Sequence, residues 1–437
     1  MSNKKKGLIV LSLITLCSQC LYAQTRVLGI DEMFRLADEE SKSIQSYRTG
    51  RDAADEAVKA ARAQRLPDVE VSLTGSYLGN GKLWDRDFSH ARDVAMPHFG
   101  NNFALEAQWV VYSGGALSSG IRQAELSRQL AEMDWKKNIQ EIRFLLVGNY
   151  LDLYKLDNQL QVLRRNLELT ERILENMVAR REQGTVLKND ITRYELQREQ
   201  IRLQLVQVED RRDIINHQLV TTLHLPEATR ILPDTTLLDR RVAVLSEKGW
   251  QETATGNHIG LQQSQIAIRM KEQQVRRERS ERLPHVALVA EEHLDGPITI
   301  EVPVLDNNFN YWFVGVGVKY SLSSLFKNNR KLKQARLDVT RAREQYELAQ
   351  EQIEQAVQAG YTDFVTSFTE LKTQENSVRL ADENYSVTSN RYQNEMALLT
   401  DMLDASNMKL SADLALVNAR IQVVYNYYKM KYITHTL

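Results

Sequence analysis

The sequence predicts a mixed, mainly helical fold with a small β component, built from two internal repeats. Two observations carry this: the chain is written twice, and its prolines fence off long helix-forming blocks. Shifted by 211 positions, Gln123-Ala124 falls on Gln334-Ala335. Leu126, Ile142, Tyr150, Asp152, Arg180 and Asp190 then fall on Leu337, Ile353, Tyr361, Asp363, Arg391 and Asp401. Upstream the offset becomes 217, where Arg65-Leu66-Pro67 recurs as Arg282-Leu283-Pro284, as an inserted loop would require. A period this long means two large structural repeats, not a short-repeat solenoid. Function is then expected where equivalent parts of the copies converge.

The first segment, residues 1–23, reads as a secretory signal: Lys4-Lys5-Lys6, an apolar run from Gly7 to Leu16, and a small-residue exit at Ala23-Gln24. The apolar run is too short to span a bilayer. Cys17 and Cys20 lie in this segment without the small residues of a lipobox before them, so lipid attachment is disfavoured. The mature chain is expected to have neither disulfide nor thiol chemistry.

Repeat 1 is expected over residues 24–222: a helix at 30–65, strands at 69–77 and 102–112, and a long helical hairpin at 116–222. A linker spans 223–257. Repeat 2, 258–437, has a helix at 258–282, strands at 286–292 and 311–322, and a hairpin at 328–431.

The hairpins follow from composition and period. No proline falls between 98 and 225 or after 303, and these blocks are rich in Leu, Glu, Gln, Arg and Ala, all strong helix formers. Ile142, Leu146, Leu153, Leu156, Leu160, Leu163, Leu167, Leu174 and Met177 keep a 3,4 spacing broken only by Asn149 and Thr170. Such a period implies a helix packed along its length on other helices. In the second copy Leu371, Val378, Tyr385 and Tyr392 are seven apart. Each long helix ends at a matching break, Gly184-Thr185-Val186-Leu187 and Glu395-Met396-Ala397-Leu398. These short apolar breaks between polar-faced helices suit a partner surface.

The strands follow from alternation. Val69, Val71 and Leu73 alternate with polar neighbours, as do Phe103, Leu105, Ala107 and Trp109, and Trp312, Val314, Val316 and Val318 alternate with Phe313, Gly315 and Gly317. Val286 to Glu292 has the weakest pattern. Segments of about ten residues, apolar on one face and polar or small on the other, suit a membrane barrel with a polar lumen. Tyr77, Trp109, Tyr112, Trp312 and Tyr320 would then be lipid-facing or interfacial girdle residues. A soluble β-meander would alternate in the same way, but an export signal and very long helices favour the membrane. Four strands cannot close a barrel, and an open sheet edge has no partner in lipid. Strands that enter a membrane therefore need neighbouring copies.

The near-balanced charge, −1 overall, gives no footprint for nucleic acid. The 8 histidines are scattered without metal-ligand spacing, no Gly-x-Ser-x-Gly elbow occurs, and Gly114-Gly115 lacks the Gly-Lys-Ser/Thr of a phosphate loop. No catalytic residue, metal or cofactor is expected, and the chain does not read as an enzyme.

The duplicated order of helix, two strands and long hairpin resembles the TolC-like outer-membrane efflux protein family. So do Arg65-Leu66-Pro67, Ser113-Gly114-Gly115 with Gln123-Ala124-Glu125, and Arg391-Tyr392 with Asp401, Asp404 and Ala405. The resemblance implies a homotrimer: a 12-stranded β-barrel in the outer membrane of a Gram-negative bacterium, continued by a 12-helix periplasmic α-barrel. It implies an exit duct for efflux or type I secretion, served by an inner-membrane transporter through a periplasmic adaptor. By the same resemblance Asp401 and Asp404 form the aperture ring, with Tyr392, Asn189 and Asp190 nearby. Gly184, Thr185, Val186, Leu187, Met396, Ala397 and Leu398 dock the adaptor. The chain departs from the family in Glu395, at the usual tip glycine, and in Ala397, where some members carry a basic lock.

Each site has a simpler reading beside it. Acidic and capping residues are favoured where a return helix begins, which suits Asn189 and Asp190 better than it suits Asp401. Val186 and Leu187 could pack back on their own hairpin. The alternative for the whole chain is a soluble periplasmic coiled-coil scaffold or adaptor.

Overall fold

The fold is that of a computed structural model which describes residues 25–234, 245–301 and 304–437. The signal segment with Cys17 and Cys20, the middle of the linker, and Pro303 lie outside the described residues. Contacts divide the chain into two bodies. One comprises the chain up to Thr49, Asp134–Leu261 and Ala349–Leu437; the other comprises Gly50–Met133 and Gln262–Leu348.

In chain order the helices are α1 (Ile30–Glu40), α2 (Lys42–Ala63), α3 (Ala116–Glu182), α4 (Lys188–Thr222), α5 (Glu247–Asn257), α6 (Ile259–Ser280), α7 (Ser324–Gln393) and α8 (Leu399–Ile433). The strands are β1 (Thr25–Leu28), β2 (Asp68–Tyr77), β3 (Gly81–Leu83), β4 (Arg92–Val94), β5 (Phe99–Tyr112), β6 (Arg230–Pro233), β7 (His285–Gly296) and β8 (Phe309–Lys319).

The expected first helix, 30–65, is two helices. Ser41 between them is extended (φ −62°, ψ 122°), although its N–H still reaches the Ala37 carbonyl at 3.0 Å. The same break recurs at His258 (φ −65°, ψ 112°), 217 residues on. Repeat 2 therefore begins at Glu247, inside what reads from sequence as linker, because α5 is the second copy of α1. Their buried positions correspond: Met33 and Ala37 in α1, Trp250 and Ala254 in α5. The rest of the linker holds β6, which pairs in parallel with β1.

In the first body the heptad stripe of α3 is the spine. Leu146, Leu153, Leu156, Leu160, Leu163, Leu174 and Met177 are all buried. Thr170 in the same stripe is also buried, its hydroxyl donating to the Asn166 carbonyl at 2.8 Å, so a polar residue stays in register at little cost. The largest cluster joins α1, α3, α4 and α8 around the β1–β6 pair. Tyr150 ties that pair down: its hydroxyl donates to the Leu28 carbonyl at 2.8 Å and accepts from the Asp234 N–H at 2.7 Å. Arg212, 1% exposed, bonds Asp157 at 2.7 Å and the Ile231 carbonyl at 2.8 Å. Asn216 bridges the Thr229 carbonyl and the Ile231 N–H.

In the second body four strands form one antiparallel sheet in the order β2-β5-β7-β8. β7, faintest in the sequence, is central and longer than the expected 286–292, because ladders on both sides fix its length rather than its own alternation. β8 ends before Tyr320, short of the expected 311–322. α6 packs on α7 through Val275, Leu332 and Ala335, with Arg343 bonded to Glu272 at 3.1 Å. α2 and the start of α3 are linked by Arg62–Glu125 at 2.8 Å. The turn from β5 into α3 needs glycine at 114: its φ is +62°, and a Cβ there would sit 2.8 Å from the Ser280 carbonyl.

Candidate functional site at the hairpin tips

The two tips share one backbone. Gly184 (φ +78°) and Glu395 (φ +61°) occupy the left-handed region at equivalent positions of the repeats. Behind each, an N–H reaches back around the helix end: Thr185 to the Arg180 carbonyl at 3.1 Å, Met396 to the Arg391 carbonyl at 2.8 Å. This is the left-handed helix stop that glycine normally supplies. In a non-glycine residue it costs roughly 1 kcal/mol.

Glu395 has a partner that offsets the strain. Its carboxylate meets the Arg180 guanidinium of the other hairpin at 2.8 Å, and Arg180 also lies 5.9 Å from the centre of the Tyr392 ring. Arg391, equivalent to Arg180, instead closes its own turn on the Met396 carbonyl at 3.3 Å. Beneath both tips Leu174, Met177, Ile191, Tyr194 and Leu399 form a buried cluster that receives Val186 and Tyr392. Val186 thus packs back on its hairpin, whereas Leu187 and Leu398 are 71% and 70% exposed and Met396 is also exposed. The exposed apolar side chains of the tips are thus those three, because Ala397 is half-buried and Gly184 and Thr185 offer little apolar area.

The acidic residues divide differently from the sequence reading. Leu187, the residue before α4, gives that helix no side-chain cap, and neither Asn189, exposed, nor Asp190, half-buried, supplies one. The cap belongs to Asp401, which accepts the Leu398 N–H at 3.1 Å. Asp401 and Asp404 are both exposed and share one face of α8.

Burial holds the Tyr392 hydroxyl above its ordinary pKa, opposed by Arg180 and assisted by Asp190. Burial also raises the Tyr194 hydroxyl, which has no hydrogen-bond partner. Away from the tips, Lys409 bonds Asp382 at 2.5 Å and lies over the Tyr385 ring. That carboxylate holds Lys409 above its usual range, while burial raises Asp413. A cavity of about 200 Å³ beneath the tips is lined by Ile173, Met177, Arg180, Tyr385, Tyr392 and Met402. Sequence reasoning missed Arg180, Glu395 as a partner, and Tyr194; only the glycine position it lacks marked Glu395.

In the sheet, the face bearing Val69, Val71, Leu73, Trp312, Val314, Val316 and Val318 leaves these side chains between 64% and 78% exposed. Tyr77, 80% exposed, stacks on His98 at 5.3 Å. Trp312 lies opposite Glu292, four residues into β8 rather than at its end. Near the other end Trp109 donates to the Arg65 carbonyl at 2.8 Å, and Tyr112 pairs with Val286. Tyr320 is exposed just past the strand. No described helix is long and apolar enough to cross a membrane.

The family model for outer membrane efflux proteins matches residues 34–223 and 250–429. No curated protein sequence matches significantly. Among solved structures, the outer membrane protein VceC of Vibrio cholerae superposes with a TM-score of 0.76 at 16% identity, over 93% of this chain and 95% of its own. The MtrE outer membrane channel of Neisseria gonorrhoeae, in its open state, gives 0.73 at 15%, over 93% and 88%. The CmeC outer membrane channel of Campylobacter jejuni gives 0.73 at 14%, over 93% and 85%.

Proposed function

Because the chain belongs to the outer membrane efflux protein family, we propose that three copies close one 12-stranded barrel in the outer membrane and continue as a 12-helix barrel in the periplasm. The observation that carries this is the uncovered apolar face of the sheet. A soluble β-meander or coiled-coil scaffold would bury Leu73, Trp312 and Val318, since seven large apolar side chains left in water forfeit about 1.5–3 kcal/mol each. Lipid covers them at no such loss. The unpaired edges of β2 and β8 then require neighbouring copies, as open edges have no partner in hydrocarbon.

The duct passes cargo delivered by an inner-membrane transporter through a periplasmic adaptor that docks on Leu187, Met396 and Leu398. Asp401 and Asp404 line the aperture, where three copies bring carboxylates around one axis and favour cations over anions. Tyr392, Asp190 and Asn189 stand beside it, and the Arg180–Glu395 pair holds the two tips of each copy together.

Mass measurement of the detergent-solubilised protein should give a trimer that conducts in planar bilayers. A stable monomer that keeps its β content in water without detergent would overturn this reading and restore the soluble scaffold.

A further inference from the structure

The other face of the sheet is not merely polar. Its register places Glu70, Glu106 and Glu291 directly opposite one another in a single rung that ends on Phe313. One rung on, His293 faces Tyr311, their rings stacked at 5.0 Å and 15°. On the next, Asp295 accepts from Asn102 and faces Phe309, whose ring stacks on Tyr311 at 5.3 Å. Phe309, Tyr311 and Phe313 are alternate residues of β8 and so form an aromatic ladder on this face. All three rings are exposed.

Carboxylates directly opposite across strands repel, and sheets ordinarily place opposite charges there. Here the four strands carry no Lys or Arg on this face before Lys319, the last residue of β8, three rungs from the glutamates. The His293 ring lies beside Glu291, Nε2 to carboxylate oxygen at 3.2 Å. A face that sets exposed aromatic rings beside uncompensated carboxylates is complementary to one chemistry: a positive charge carried on an apolar or aromatic body. The charge is met by the carboxylates and by the ring faces, and the body by the ladder.

We propose that this face is a transit surface for lipophilic organic cations. The proposal rests on the reading that three copies close the sheet around a lumen, each lining it with the same acidic rung and ladder.

The test uses the full protein in planar bilayers with two probes of one shape and opposite charge, tetraphenylphosphonium and tetraphenylborate, added to each side in turn. Tetraphenylphosphonium should interrupt the current and tetraphenylborate should not. Tyr311→Leu with Phe313→Leu, which keeps apolar bulk but removes the rings, should shorten the interruptions about tenfold. Glu106→Gln with Glu291→Gln should shorten them and lower the cation-to-anion permeability ratio. Asp401→Asn with Asp404→Asn should leave them in place. Should the leucine pair fail to conduct, Phe309→Leu alone is read in the same way. Equal interruption by both probes would overturn the proposal, as would block that survives loss of the rings but vanishes in the Asp401 and Asp404 variant. Absence of any current in the unaltered protein would instead sink the duct itself.

Discussion

The two hairpin tips are one backbone carrying two chemistries. Gly184 and Glu395 make the same left-handed turn, and Leu187 and Leu398 are exposed almost equally. Everything charged differs. The first tip turns on glycine, leaves its return helix uncapped, and sends Arg180 across to its neighbour. The second turns on glutamate, caps its return helix with Asp401, and keeps Arg391 for itself. Tyr194 under the first has Ala405 as its equivalent under the second. The two tips thus share their turn geometry, while the charged side chains at equivalent positions take different partners.

If the shared part of the tips is the docking surface, both exposed leucines matter. Leu187→Asp with Leu398→Asp should lower efflux roughly tenfold or more while leaving the trimer intact, read by export of a fluorescent substrate and by native mass. A loss carried wholly by Leu398 would break the symmetry. If the aperture belongs to the second tip, Asp401→Asn with Asp404→Asn should lower the cation-to-anion permeability ratio about threefold, and Asp190→Asn should change it much less. Of the two aspartates, Asp401 alone should also affect stability, by about 0.5–1 kcal/mol for the lost cap.

The turn residues give a smaller contrast. Gly184→Ala meets no atom within 4 Å and should cost about 1 kcal/mol from its backbone conformation alone. Glu395→Gly should stay within about 0.5 kcal/mol of neutral in denaturant titration, because relief of the turn offsets loss of a partly exposed ion pair. A large destabilisation by Glu395→Gly would make the Arg180 contact the stronger term. Last, Tyr194→Phe removes a buried hydroxyl without a partner and should stabilise by up to about 1 kcal/mol. Since burial raises the Tyr194 pKa in the fold, the folded state holds that proton longer than the unfolded chain. Stability should therefore fall as pH rises above about 10, and the Phe variant should fall less steeply.

The long helices were legible because heptad leucines such as Leu153 and Leu160 are also the buried ones. β2 and β8 were legible from alternation at Val69 to Leu73 and at Trp312 to Val318, where apolar residues fall on every second position. β7 was faint because Glu291 and Glu292 interrupt both of its faces. β1 and β6 escaped because 4 residues are too few to show a period, and their pairing rests on Tyr150, Arg212 and Asn216 from distant helices. The start of repeat 2 escaped because α1 and α5 share burial but hardly any residue identities. At the tips the acidic positions were visible, but not which of them caps. The Arg180–Glu395 contact joins residues 215 apart and leaves no local trace.

The strand order has a further consequence for assembly. Each repeat supplies two adjacent strands, so the free edges belong to different repeats: β2 to the first, β8 to the second. An edge-to-edge join through them is head-to-tail and has a direction; it closes by rotation about an axis, not by pairing off in twos. The number of strands decides whether such a join is antiparallel. With four alternating strands, β2 and β8 run oppositely, so β8 of one copy meets β2 of the next antiparallel when both copies point the same way. Three or five strands would have met parallel at every seam. Parity thus lets identical copies, inserted in one orientation, continue a single uninterrupted antiparallel ladder.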